Sequence, residues 1–311
     1  MSQAQPYPIG NPGQPWTADE RAQWRARQGI KRSYAEAVLS RLDAIDTTPQ
    51  GFERLQYGAL SYDEARYPLL AFRSANWQGN LPCALVTGGV HGYETSGIQG
   101  AIDFLQGPAS AYQGRVNLLV LPCISPWAFE TINRWNPLAV DPNRSFYSDS
   151  PAEESAAVLA LLEQLGIDFD LHIDLHETTD TDASEFRPAL AARDGESIDL
   201  WEHIPDGFYL VGDTENPQPA FQAAVVKAVE EVTHIAPPDS DGGIIGERLE
   251  QHGVINYPVR KLGLCAGITD ARFVTTTEVY PDSARVDDAN CNLAQVTAIC
   301  SALDYLLAGR A

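Results

Sequence analysis

The segment Thr87-Gly-Gly-Val-His-Gly-Tyr-Glu94 sets an imidazole and a carboxylate three residues apart, directly after the apolar run Cys83–Thr87. At a strand-to-helix junction, side chains at i and i+3 point the same way, so His91 and Glu94 can share one Zn2+. Gly88, Gly89 and Gly92 let the backbone turn tightly there. Taken alone, the pair reads equally as a solvent-facing helix start.

A second segment, Phe169–Thr179, alternates His172, Asp174 and His176 with Leu171, Ile173 and Leu175. A period of two puts the three polar groups on one face of a strand. His176 comes last, just before Glu-Thr-Thr-Asp, and ligands gather where parallel strands end. It is the best third metal ligand. His172, further back, reads as a satisfied buried histidine, and Asp174 as a group that orients a ligand or the backbone.

Arg134 precedes Asn143 by nine residues, and Arg144 follows within Asp141-Pro-Asn-Arg-Ser. Arginine and asparagine so clustered can grip a carboxylate and polarise a carbonyl oxygen. A salt-bridged surface loop is the alternative in so acidic a chain. Glu278 interrupts the otherwise uncharged run Phe273–Val279. A carboxylate in that setting is paired or functional; beside a zinc-bound water it would be the general base.

These groups need a scaffold. Leu69–Arg73, Cys83–Thr87, Val116–Leu121, Phe169–Leu175, Phe208–Val211 and Phe273–Val279 read as strands. Helical spacing fills Thr95–Leu105, Pro151–Leu165, Pro219–Val232 and Ala289–Leu307. Strands alternating with helices predict an α/β fold with a largely parallel sheet between helical layers. Thr17-Ala-Asp-Glu20 is a capping box, so a helix to about Gln28 is expected, then another over Arg32–Ile45. Residues 1–15, rich in Pro, Gly and Gln, are expected to form an extended arm. Residues 16–311 read as a single catalytic domain, because no linker divides them.

Composition narrows the partners. Asp and Glu number 42 against 21 Lys and Arg, a net charge of −21 over 311 residues. A field of that sign repels nucleic acid and anionic membranes. No stretch of 18 apolar residues is evident, so no membrane span is expected. Five cysteines without CxxC spacing argue against a disulfide framework or a zinc ribbon. No signal peptide is expected, and a cytoplasmic location is the default.

The order HxxE, then Arg134 with Asn143-Arg144, then a strand-borne His176, then Glu278 in a late strand resembles the zinc carboxypeptidase (carboxypeptidase A-like) superfamily. Gly253-Val-Ile-Asn-Tyr257 looks like that family's mobile tyrosine segment. Gly-Gly-Val-His-Gly-Tyr-Glu and Asp-Leu-His-Glu-Thr-Thr look like its aspartoacylase and succinylglutamate desuccinylase branch. The resemblance spans about Leu81 to Asp282. It implies a three-layer α/β/α sandwich around a mixed, largely parallel sheet of about eight strands. It also implies one zinc per chain held by His91, Glu94 and His176, with Asp141 behind the first histidine. Glu278 is implied as base and later proton donor, and Arg134 as the oxyanion group. Asn143 and Arg144 are implied to hold a terminal carboxylate, and Tyr257 to close over the substrate. Pro142 departs from the usual apolar residue of the motif. The spacing of 82 from Glu94 to His176 is shorter than in digestive members, and no propeptide is evident. Leu262–Arg272 matches no specificity type.

Three functions compete. A metallocarboxypeptidase would cleave a C-terminal residue from a peptide. An acylase would hydrolyse an N-acyl amino acid; that branch typically carries an extra C-terminal β domain, whereas this chain ends in the helix expected at Ala289–Leu307, which favours the peptidase. Both substrates carry a free carboxylate. A non-catalytic binding protein is disfavoured, since every catalytic residue type is present.

Overall fold

The computed structural model describes residues 7–48, 51–196 and 204–309. Among them the strands are, in chain order, β1 (Phe52–Ala59), β2 (Pro68–Ser74), β3 (Cys83–Gly88), β4 (Asn117–Leu121), β5 (Leu171–Glu177), β6 (Tyr209–Asp213), β7 (Gly243–Ile244), β8 (Glu247–Arg248), β9 (Val254–Tyr257) and β10 (Phe273–Val279). Eight form one mixed sheet in the order β1-β2-β4-β3-β5-β10-β6-β9, and β7-β8 is a separate hairpin. The central strands β4, β3, β5 and β10 run parallel. The β1–β2, β2–β4 and β10–β6 pairs are antiparallel. Strands buried on both faces read as continuous apolar runs, which made β3 and β4 legible, whereas β5 showed itself by alternation and β10 by its β-branched residues. The edge strand β1 was not expected, because its exposed Glu53, Arg54 and Gln56 break up the apolar pattern.

Helices cover both faces, as an α/β/α sandwich requires. Leu171, Ile173 and Leu175 of β5 face a core built with helices Thr95–Gln106, Pro219–Val229 and Asp288–Ala308. The opposite face packs Leu85, Leu119 and Leu121 against Val158 and Leu161 of helix Glu153–Leu165. His172, Asp174 and His176 point to this second side.

Four expectations need correction. The helix expected over Arg32–Ile45 is a π turn at Ala35–Leu39 running into Ser40–Leu42. It starts late because the amides of Lys31 and Arg32 donate to Glu130 O at 2.8 and 3.2 Å. Residues 1–6 of the expected arm lie outside the described residues. Residues 7–15 are not extended but turn at Gly10 and Gly13, with Ile9 buried. Gly253–Tyr257 is not a loose segment, since Val254–Tyr257 is β9, paired in parallel with β6. Finally, helix Asp288–Ala308 is long and apolar enough, by composition, to cross a membrane. Its residues Ala294, Ala298, Ile299, Ala302 and Leu303 are nevertheless buried in the core. A core helix and a spanning helix share that composition.

Candidate active site

The metal-side loop is shaped by two glycines. Gly89 leaves β3 in the left-handed region, at φ 62°. Gly92 passes so close to the Ser125–Phe129 turn that a Cβ would sit 2.0 Å from Phe129 N; only hydrogen fits there. The chain then rises to Glu94, at the head of helix Thr95–Gln106. An N-terminal helix amide needs an acceptor, yet Glu94 does not supply one. Glu177, at the end of β5, takes Thr95 N at 3.1 Å and Ser96 N at 2.6 Å. That unanticipated capping ties the loop to β5 and leaves the Glu94 carboxylate for the histidines. Burial pushes Glu177 up to about 7.

His91, Glu94 and His176 come together with one ligand atom from each lying within 4.8 Å of the others. All three are buried, each 1% exposed. His91 Nδ1 is 2.6 Å from Glu94 Oε1, and His176 Nδ1 is 2.7 Å from Glu94 Oε2. The far nitrogens are held by carboxylates: His91 Nε2 by Asp141 at 2.9 Å, His176 Nε2 by Asp174 at 2.8 Å. A carboxylate at Nε2 keeps the proton there and turns the Nδ1 lone pair inward. Glu94 Oε2 is buried without a hydrogen bond, despite its close approach to His176. A cation between the three groups would satisfy it. Two imidazole nitrogens and one carboxylate suit zinc with an open fourth position, so the residues fit that ion. Burial opposes the Glu94 charge, but His176 and His91 outweigh it and hold its pKa at about 2.

Behind His176 lies a buried chain of polar contacts. Asp174 Oδ1 accepts from Thr87 Oγ1 at 2.6 Å, and Thr87 Oγ1 meets His172 Nε2 at 3.0 Å. Burial pushes His172 down to about 4, so it stays neutral. It stands outside the three-residue cluster.

Glu278, Arg134, Asn143 and Arg144 line a cavity of about 720 Å3 together with this cluster. Glu278 is in parallel register with His176. Its Oε2 accepts from Thr178 Oγ1 at 2.9 Å, and Thr178 also meets the Tyr209 hydroxyl at 2.7 Å. Burial pushes Glu278 up to about 8. Arg134 Nε is 3.0 Å from Asp141 Oδ2, and its Nη1 is 3.2 Å from Asp182 Oδ1. Asp182 also accepts from Tyr93 OH at 2.9 Å. Sequence reasoning missed Asp182 and Tyr93, and no local pattern marks either.

Asn143 is partly committed. Its Oδ1 accepts from Cys265 N at 2.8 Å, while Nδ2 lies 3.4 Å from His176 Nε2. Arg144 and Tyr257 both line the cavity, and among the described residues the Arg144 guanidinium makes no ion pair. Tyr257 is anchored by its backbone, whose carbonyl takes the amides of Thr214 and Val259 at 2.9 Å each.

Residues 80–197 match the succinylglutamate desuccinylase/aspartoacylase catalytic domain. No curated protein matches the chain. Solved structures share the fold. A proposed metallopeptidase from Shewanella amazonensis SB2B superposes with TM-score 0.66 at 20% identity, over 86% of this chain and 91% of that one. One from Shewanella baltica OS155 superposes with TM-score 0.64 at 17% identity, over 95% and 99%. A metallo-carboxypeptidase from Pseudomonas aeruginosa, in complex with (2-guanidinoethylmercapto)succinic acid, gives TM-score 0.57 at 15% identity, over 94% and 69%. The central segment thus resembles the desuccinylase/aspartoacylase catalytic domain, and the chain shares its fold with metallo-carboxypeptidases of known structure.

Proposed function

We propose that the protein is a metallocarboxypeptidase that releases the C-terminal residue of a peptide. The observation that carries this reading is Arg144, a guanidinium without an ion pair among the described residues, lining the same cavity as Glu278 and the His91–Glu94–His176 cluster. An anion is the natural occupant, and a guanidinium fork matches a carboxylate in two hydrogen bonds. The Pseudomonas enzyme's ligand is itself a succinic acid derivative, which agrees with a carboxylate-bearing ligand here.

The residues divide the work. His91, Glu94 and His176 would hold zinc, which supplies Lewis acidity and acidifies a water. Glu278 accepts the proton of the attacking water and returns it to the departing amine. Burial holds the Glu278 pKa up at about 8, and a cation held by the neighbouring cluster would lower it toward the ionised form a base needs. Arg134, aimed by Asp141 and Asp182, steadies the negative charge that develops on the carbonyl oxygen. Arg144 and the amide nitrogen of Asn143 hold the terminal carboxylate, and the Tyr257 ring closes the cavity over the substrate.

The match over residues 80–197 favours a second reading, an N-acyl amino acid amidohydrolase. Zinc-loaded protein assayed on an N-acyl amino acid and on a tripeptide with the same C-terminal residue separates the two. Faster turnover of the tripeptide is expected. Cleavage of the N-acyl amino acid alone would overturn the peptidase reading in favour of the acylase.

A further inference from the structure

The hairpin β7–β8 turns on Ile245 and Gly246, with φ of 48° and 84°. The left-handed region is costly for any residue but glycine, asparagine or aspartate, and a β-branched side chain is a rare occupant. Two-residue hairpin turns of this kind ordinarily carry Asn-Gly. The surrounding structure nevertheless enforces the strained conformation. Ile244 is buried with Tyr209, Val211 and Ile255. Asp239 closes the base of the hairpin: its side chain accepts from Gly243 N at 2.8 Å, and its own amide donates to Gly243 O at 2.8 Å.

The strained side chain does not disappear into that core. Ile245 is half-buried and lines the catalytic cavity together with Val211, Leu264 and Thr276. Val211 and Tyr257 belong to the same apolar cluster as Ile244. Tyr257, packed on that cluster, shares the cavity with Arg144 and Glu278. A substrate with its carboxylate on Arg144 and its scissile carbonyl at the metal cluster must put the side chain of its last residue nearby. Val211 and Ile245, packed in one apolar cluster, give that side an apolar wall. Glu247, exposed two residues further along the hairpin, disfavours an acidic group.

We propose that Ile245 is a specificity-determining residue, packing against the side chain of the released residue and selecting an apolar one. The proposal rests on the carboxypeptidase reading. It also explains why a β-branched residue sits where asparagine would be less strained, since local strain persists where function uses it.

The test replaces Ile245 with Asn and with Gly, both at ease at positive φ, and with Val as the conservative control. Two N-blocked peptides are compared, one ending in leucine and one in glycine. Three quantities are read: Tm, kcat/KM with zinc-loaded enzyme, and equilibrium binding of the same peptides to zinc-free protein. For Ile245→Asn and Ile245→Gly, Tm should hold or rise. The leucine-to-glycine preference should fall about tenfold or more, the usual worth of an apolar pocket contact. Ile245→Val should keep most of the preference. A preference unchanged in both strain-relieving variants would overturn the proposal, as would equal losses on both peptides with a lowered Tm. If the wild type cleaves neither peptide, the peptidase reading fails, and the binding comparison still decides whether Ile245 senses the side chain.

Discussion

Glu278 stands directly beside His176 in the ladder between β10 and β5, in parallel register. Neighbouring strands lie about 4.8 Å apart, and paired residues share a face. The proposed base and a proposed metal ligand are therefore set side by side by main-chain hydrogen bonds rather than by a loop. On the far side of Glu278, Tyr209 is paired with it across β6, and Thr178 links the two polar groups.

Glu278→Gln keeps this packing and removes the base. The variant should bind zinc and substrate as the wild type does, with kcat lower by about 10²–10⁴. Metal content and single-turnover rates check this. Wild-type turnover in a metal-replete variant would exclude Glu278 as the base.

Purified protein should carry about one zinc per chain, the stoichiometry of a single tetrahedral site. His176→Ala should lose the metal, whereas His172→Ala should keep it and lose only stability. Asp174→Asn should weaken zinc binding about 10–100-fold, because such hydrogen-bonded carboxylates orient the ligating imidazole. Metal analysis after dialysis reads all three. An empty site in His172→Ala alongside a full one in His176→Ala would mean that the third ligand is misassigned.

Arg144 should enforce a free carboxylate. Amidation would leave its charge without a counterion, which costs more than the lost bond. Wild-type enzyme should strongly prefer a peptide to its C-terminal amide. Arg144→Ala should erase most of that preference, and Arg144→Lys should restore little, since a point charge cannot reproduce the fork. Equal cleavage of acid and amide by the wild type would sink the assignment.

Glu154 should make stability fall with pH. It lies in the first turn of helix Glu153–Leu165, fully buried, with Oε2 3.3 Å from Asn136 Nδ2 and Oε1 without a partner. Burial raises its pKa from an ordinary 4.5 to about 7. The folded state therefore holds this proton more tightly than the unfolded chain. The stabilisation is complete below pH ~4.5 and is lost as pH rises through ~7. Relative to wild type, Glu154→Gln should melt several degrees higher at pH 8 and at a similar temperature near pH 4.5. Parallel melting curves for the two proteins across that range would refute the assignment.

What the sequence determined by itself follows from periodicity. Apolar runs marked β3 and β4, β-branched residues marked β10, and the alternation at 171–176 marked β5 and put His172, Asp174 and His176 on one face. The three-residue interval did the same for His91 and Glu94. Local geometry of this kind depends on dihedral repeat alone. The placement of β9 at the sheet edge, the docking of residues 7–15 and the late start of the helix near Ala35 were decided by partners far along the chain. Glu177 capping a helix that starts 82 residues earlier, Asp182 holding Arg134, and Ile245 reaching the cavity are likewise long-range contacts. No local pattern encodes them, because each depends on how distant elements pack. The sequence could nominate His172 and His176 as candidate ligands. The place of His176 at the end of its strand already ranked it first, and the folded sheet adds that Glu94 lies against it while His172 sits behind Thr87.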